Sequence, residues 1–127
     1  MTTPNRTPSD FLPLPASQLH ILLALTTGDN HGYGIMKEVE AFTAGAVTMG
    51  PGTLYGAIKQ MLKAGLIEET FERPDPDLDD ERRRYYCLTE LGDRTLDAEV
   101  LRLEQLARAA RTRRTDVMRS RGTQNAL

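Results

Sequence analysis

The stretch Gly50-Pro-Gly-Thr-Leu-Tyr-Gly-Ala-Ile-Lys-Gln-Met-Leu-Lys-Ala-Gly-Leu-Ile-Glu68 constrains this chain most. Pro51 suits a first helical position, where its missing N–H costs nothing. Leu54, Ile58, Met61 and Leu62 fall at i, i+4, i+7 and i+8 and make one apolar stripe. Gly65 is placed to end the helix, and Leu66-Ile67 begins an extended run. The opposite face carries Gly52, Gly56, Lys59 and Lys63. A helical glycine costs about 1 kcal/mol against alanine. Two of them beside two lysines describe a surface that something anionic approaches closely, as a helix in a DNA major groove requires. The plainer alternative is a surface helix of poor propensity.

At 127 residues the chain is one domain with room for an appended helix. Its formal net charge of −2 gives no bulk attraction to nucleic acid, so any DNA footprint must come from local clustering. One cysteine excludes an internal disulfide and fits a reducing, cytoplasmic setting. No apolar run approaches the ~20 residues of a membrane span, and the N-terminus lacks the apolar segment of a secretory signal. The expected partners therefore exclude a membrane.

Residues 1–15 hold four of the seven prolines and read as a flexible arm, whose apolar Phe11, Leu12 and Leu14 allow its end to pack on the body. Residues 16–27 read as a helix apolar on two sides, with Leu19, Leu22 and Leu23 on one and Ile21 and Leu25 on the other. The second side faces either a partner subunit or the core of the same chain. Gly28 to His31 is turn chemistry, and residues 32–43 form the next helix, with Ile35, Val39 and Phe42 on one face. Leu66–Phe71 and Arg84–Leu88 read as an antiparallel ribbon, joined by an acidic loop with two prolines. Thr89 can cap a last helix. Leu96, Val100, Leu103, Ala107 and Ala110 then repeat at four and three residues, widened by Leu91, Leu101 and Leu106, a seam that normally faces another helix. Its pattern fades from Thr115, so residues 115–127 read as a disordered tail.

Three helices, a ribbon and a long helix make a mainly α fold with a small β-ribbon. The arrangement is a winged helix-turn-helix (16–89) plus a C-terminal dimerisation helix (90–114). Four motifs in this order, His31-Gly-Tyr-Gly-Ile-Met-Lys-Glu-Val39, Gly50-Pro-Gly-Thr-Leu-Tyr55, Leu62-x-x-Gly-Leu-Ile67 and Arg82-Arg-Arg-Tyr-Tyr-x-Leu-Thr-Glu-Leu-Gly92, resemble the PadR family of transcriptional regulators over roughly residues 17–112. The loop ending Leu78-Asp-Asp-Glu-Arg-Arg-Arg-Tyr-Tyr86 is similar to that of a subgroup common among actinobacterial members. The resemblance implies a short-subfamily homodimeric repressor. Its last helix swaps across the dimer onto the partner's first helix, and a small-molecule effector often releases its DNA.

The expected DNA surface is Thr48, Gly50, Pro51, Gly52, Thr53, Tyr55, Gly56 and Lys59, joined by His31 and Tyr33 and by the wing arginines Arg82, Arg83 and Arg84. Tyr55 has the alternative of packing inward, His31 that of a structural turn residue. The arginines have the alternative of pairing with Asp79, Asp80 and Glu81. The expected dimer surface is Leu19, Ile21, Leu22, Leu25, Leu96, Val100, Leu103, Leu106, Ala107 and Ala110. His20 reads as a partly buried residue or an effector-site neighbour, and Cys87 as a buried, inert thiol. The two histidines and Cys87 have no metal-ligand spacing, Gly50-Pro-Gly-Thr lacks the ending of a phosphate loop, and no nucleophile–base pair is visible. No cofactor and no catalysis are expected. The expected partners are operator DNA, a second copy and an effector at the dimer cleft. The rival function is a winged-helix protein-interaction module; an enzyme acting on small phenolics has only the hydrophobic cleft behind it.

Overall fold

The computed structural model describes residues 6–70 and 84–125, with side chains as far as residue 122. Helix α1 spans Ala16–Ala24 and tightens into a 3-10 turn at Leu25–Thr27. Strand β1 (Asn30–His31) leads into α2 (Gly32–Phe42), and α3 runs Pro51–Ala64. Strands β2 (Ile67–Thr70) and β3 (Tyr85–Leu88) precede α4, Glu90–Asn125. The fold is mainly helical, a winged helix with an appended C-terminal helix, as the sequence pattern predicts.

The third helix forms between the expected signals. Pro51 occupies its first turn, and Gly65 closes it at φ +80°, a left-handed conformation that a β-carbon would strain. Its apolar stripe differs by one residue. Ala57 is buried with Leu54, Ile58 and Met61, whereas Leu62 sits at the margin with 36% of its surface exposed. On α2, Ile35 and Val39 are fully buried, but Phe42 at the last position turns out of the core and stacks on His20 at 6.1 Å.

The sheet has the order β1-β3-β2, antiparallel throughout. β2 pairs with β3 from Ile67 opposite Leu88 to Thr70 opposite Tyr85. The other edge of β3 takes Asn30 opposite Tyr86 and His31 opposite Tyr85. This third strand replaces part of the expected turn. It covers backbone groups that β3 would otherwise leave unpaired beside two buried tyrosines. The acidic loop between β2 and β3 lies outside the described residues.

α1 packs against α2, α3 and α4, and its two-sided burial is met within the chain. Ile21, Leu22 and Leu25 join Leu54, Met61, Leu66 and Leu96 in one core. Within the described residues the arm takes up regular structure at Pro8–Phe11, which its reading as a flexible arm did not expect. A 3-10 turn at Pro8–Phe11 is closed by the Thr7 amide donating to the Asp10 carboxylate at 2.7 Å. Phe11 and Leu12 pack on the core, and Leu14 is buried.

The arm is held by a charge. Glu99 is fully buried on α4, accepts from the Leu14 amide at 2.7 Å, and takes a second hydrogen bond from Arg102 Nε. The Arg102 guanidinium, helped by the Leu14 amide, holds the Glu99 carboxyl below its usual range against the opposing effect of burial. The sign follows directly. The stability from this depressed group is complete above the ordinary glutamate range near about 4.3 and is lost as pH falls through and below it. Glu99→Gln should therefore melt lower than the parent at pH 7, by on the order of 1–2 kcal/mol for a charged hydrogen bond. The gap should narrow in melts recorded at progressively more acid pH.

α4 also exceeds expectation. Its helix continues through Arg111–Arg121 to Asn125, instead of fading at Thr115. Arginine, alanine and methionine are strong helix formers, and the next glycine is Gly122. Among the described residues, no helix is long and apolar enough to cross a membrane.

Candidate nucleic-acid interface

The first turn of α3 ends in solvent. Among the described residues no side chain caps it, so the amides of Gly52 and Thr53 have no partner there, as is usual for the first amides of a helix, and the positive end of the helix dipole faces outward. Met49 is buried and anchors the preceding connection. Around it Thr48, Gly50, Pro51, Gly52, Thr53, Tyr55, Gly56 and Lys59 are all exposed, so the structure brings the expected α3 residues onto one open surface.

Among the described residues the two helical glycines have no internal reason. A β-carbon built at Gly52 or Gly56 meets none of their atoms within 4 Å. Packing among the described residues therefore does not require a bare face there.

Tyr55 combines its two readings. It is 50% exposed, yet its ring lies across the start of α2, where a β-carbon at Gly32 would come within 2.8 Å of Tyr55 Cζ. That contact ties the α3 surface to the N-terminus of α2. Tyr33, in the same turn of α2, is exposed, and Lys37 Nζ stands 5.4 Å from its ring centre. His31 is placed differently from the α3 residues. It is half-buried and caps α2 by accepting from the Gly34 amide at Nδ1 (3.0 Å), with its ring edge-on to Tyr85 at 5.2 Å. Its structural reading is thus occupied.

On the wing, Arg84 is exposed and its Nε lies 3.8 Å from Glu69 across the ribbon. A surface pair of this kind is worth about 0–1 kcal/mol, so a phosphate can displace it. Arg82 and Arg83, with Asp79, Asp80 and Glu81, lie outside the described residues.

The model of the PadR-like family of transcriptional regulators matches residues 21–98, more than half of the chain. The chain belongs to the PadR-like family. No curated protein matches it. Among solved structures, a transcriptional regulator from Clostridium thermocellum is 25% identical over 76% of this chain and 87% of that one, with a TM-score of 0.64. RosR from H. salinarum is 25% identical over 93% of this chain and 100% of that one, with a TM-score of 0.56. PadR of Bacillus subtilis, solved in complex with operator DNA, is 20% identical over 69% of this chain and 48% of that one, with a TM-score of 0.56. At that identity the last likeness is one of fold.

In this PadR-like regulator the residues expected to dimerise divide into two groups. Ile21, Leu22, Leu25 and Leu96 are covered within the chain, and Leu19 is half-buried. Val100, Leu103, Leu106, Ala107 and Ala110 are exposed on α4, and Leu101 beside them is 54% exposed. The sequence pattern alone could not separate these groups, because intrachain and interchain burial share one periodicity. Cys87 is half-buried, and its Sγ donates to Glu68 at 3.7 Å. Burial first, then the acids Asp29 and Glu68, pushes its thiol up, away from the reactive thiolate.

Proposed function

We infer that this PadR-like transcriptional regulator is a homodimeric repressor that reads a palindromic operator through α3 and the wing. The observation that carries the reading is the open face at Gly52 and Gly56. Two costly helical glycines with empty space beyond them fit a surface shaped for close approach by an outside partner. The adjoining groups suit DNA. Uncapped amides at the start of α3 bind phosphate, Thr53 and Tyr55 offer hydroxyls, and Lys59 reaches phosphate or guanine. Arg82, Arg83 and Arg84 would follow the flanking backbone, with Tyr33 at the edge of the surface. A two-fold dimer places half-sites about one helical turn apart, near ~34 Å. An effector between α1 and α4 at the dimer cleft would act only by binding one dimer state more tightly than the other.

The first test is a gel shift on the DNA just upstream of the protein's own gene, at two salt concentrations, with random DNA as competitor. Specific, salt-sensitive retardation is the expected result. Absence of any preference, there and at other genomic sites, would favour the protein-interaction reading. Within this assay Lys59→Ala should reduce the slope of log affinity against log salt by about one unit, the release of one phosphate contact. An unchanged slope would remove Lys59 from the phosphate contacts.

A further inference from the structure

The far end of α4 concentrates positive charge. From Arg108 to Arg121 there are six arginines against one acid, Asp116. All six are exposed, and Arg108, Arg111, Arg113, Arg114 and Arg121 have no ion-pair partner among the described residues. The net charge of −2 hides this cluster, because acids such as Glu90, Asp93, Asp97 and Glu104 offset it from the first half of the same helix. The segment lies beyond residue 98, where the family match ends. α4 also starts at the opposite end of α3 from that helix's uncapped first turn. Gly92 meets Leu66, and the 14 residues of α3 separate the two ends by about 20 Å at ~1.5 Å per residue.

The four-and-three repeat of Val100, Leu103, Ala107 and Ala110 next falls on Arg114, Val117 and Arg121, so two of its three continuations are arginines and the apolar seam stops. A second stripe, Gln105, Arg108, Thr112, Thr115 and Arg119, keeps helical spacing. At ~100° per residue it lies about 160° round the helix from the seam, so a second copy seated on the seam leaves it open. Arg111 and Arg113 flank the stripe, one on each side. None of its members is apolar, whereas a protein partner is anchored by buried aromatic or aliphatic side chains. Arginine, threonine and glutamine are side chains that contact phosphate. Thr115 donates its hydroxyl to the Arg111 carbonyl at 2.9 Å, while Gln105, Arg108 and Thr112 are exposed to solvent. The charge density fits as well. Arg108 to Arg121 spans about 20 Å of helix, over which one strand of a DNA duplex presents about six phosphates.

We propose that the face of α4 from Gln105 to Arg119 is a second DNA-binding site, which holds the phosphate backbone of a duplex without reading its bases. It goes beyond the operator reading, since it uses neither α3 nor the wing. It supplies sequence-independent affinity, which keeps the protein on DNA while α3 samples base edges.

The test titrates the full chain onto a fluorescent duplex of random sequence at several salt concentrations. The parent should bind with a steep salt dependence, and failure to bind at low salt would overturn the proposal. Arg108→Gln with Arg111→Gln and Arg113→Gln should weaken this binding on the order of tenfold or more. The slope of log affinity against log salt should fall by about two to three units. All three positions are exposed and glutamine is a good helix former, so the fold is kept, which circular dichroism checks. The triple exchange to lysine should restore most of the affinity and slope, because lysine also neutralises phosphate. A loss that lysine does not restore would be structural and would overturn the site. Parental affinity and slope in the glutamine variant would overturn it too. Poly-glutamate identifies the rival partner: a glutamine variant that loses poly-glutamate but keeps the duplex would assign this face to an acidic protein instead. A parent without preference for operator over random DNA fails the operator reading alone, since this probe contains no operator.

Discussion

Gly56→Glu should leave the protein at least as stable as the parent and remove its specific retention of operator DNA. Both halves follow from the surroundings of one residue. Gly56 lies within α3, is exposed, and has open space where a β-carbon would stand. Any ordinary residue there relieves the helix of up to about 1 kcal/mol of glycine cost. A glutamate also stands three residues before Lys59, a spacing worth about 0.2–0.5 kcal/mol. The melting temperature should therefore hold or rise. Against DNA the same carboxylate meets phosphates and base edges at close range. Like charges brought together cost several kcal/mol, so affinity should fall on the order of 100-fold or more. Gly56→Ala separates shape from charge, because it adds only a methyl group and should give a smaller loss with the same gain in stability. A thermal melt and a gel shift on one preparation decide the matter. A raised melting temperature with parental affinity would show that DNA does not approach this face.

The α3 surface was legible because its signals are local. Pro51, Gly65 and the apolar spacing between them define the helix, and Gly52 and Gly56 mark its bare side before any partner is known. The ribbon was legible for a similar reason, since a β-branched and aromatic run shows itself within five residues. β1 was not. Two residues, Asn30 and His31, carry no periodicity, and they become a strand only because β3 has an open edge beside them. Phe42 defied its spacing because it is the last residue of α2, where one more turn of burial has no core left to face. The docking of the arm did leave a mark. It is faint, because Glu99 falls at a spacing of three from Leu96 beside the apolar seam, while Asp97 next to it makes the stretch read as ordinary charged surface. What the sequence could not supply was the partner's identity, a backbone amide 85 residues away. The length of α4 was misjudged because an apolar seam ended, which is a statement about packing, whereas its helix persists on propensity.

Gly92→Ala is expected to do the reverse of Gly56→Ala, although both exchange glycine for alanine in a helix. Gly92 stands in the first turn of α4 against the chain between α3 and β2. A β-carbon there would come within 2.9 Å of the Leu66 carbonyl carbon and closer still to its oxygen. Neither side can yield cheaply. The Leu66 carbonyl accepts from the Thr89 amide at 3.2 Å, and Leu66 and Ile67 are buried in the core. On the other side, the Gly92 amide donates to Thr89 Oγ1 at 3.0 Å, and that hydroxyl donates to the Gly65 carbonyl at 2.6 Å. Thr89 thus caps α4 and fastens it to the end of α3 together. Making room for one methyl group means breaking this clasp or lifting Leu66 from the core. The overpacking cost is about 3 kcal/mol, against a propensity gain of at most about 1. Thr89→Ala, which removes the cap and adds no atom that could clash, should cost about 1 kcal/mol. Denaturant unfolding of the three proteins would give midpoints in the order parent, Thr89→Ala, Gly92→Ala, with similar slopes if the denatured states are alike. The clasp also fixes the direction in which α4 leaves the winged-helix body, so Gly92→Ala should loosen the proposed homodimer even where the single chain stays folded. A Gly92→Ala midpoint at or above the parent's would mean that α4 does not meet Leu66 in this way. The origin of the exposed helix would then have to be sought elsewhere in the fold.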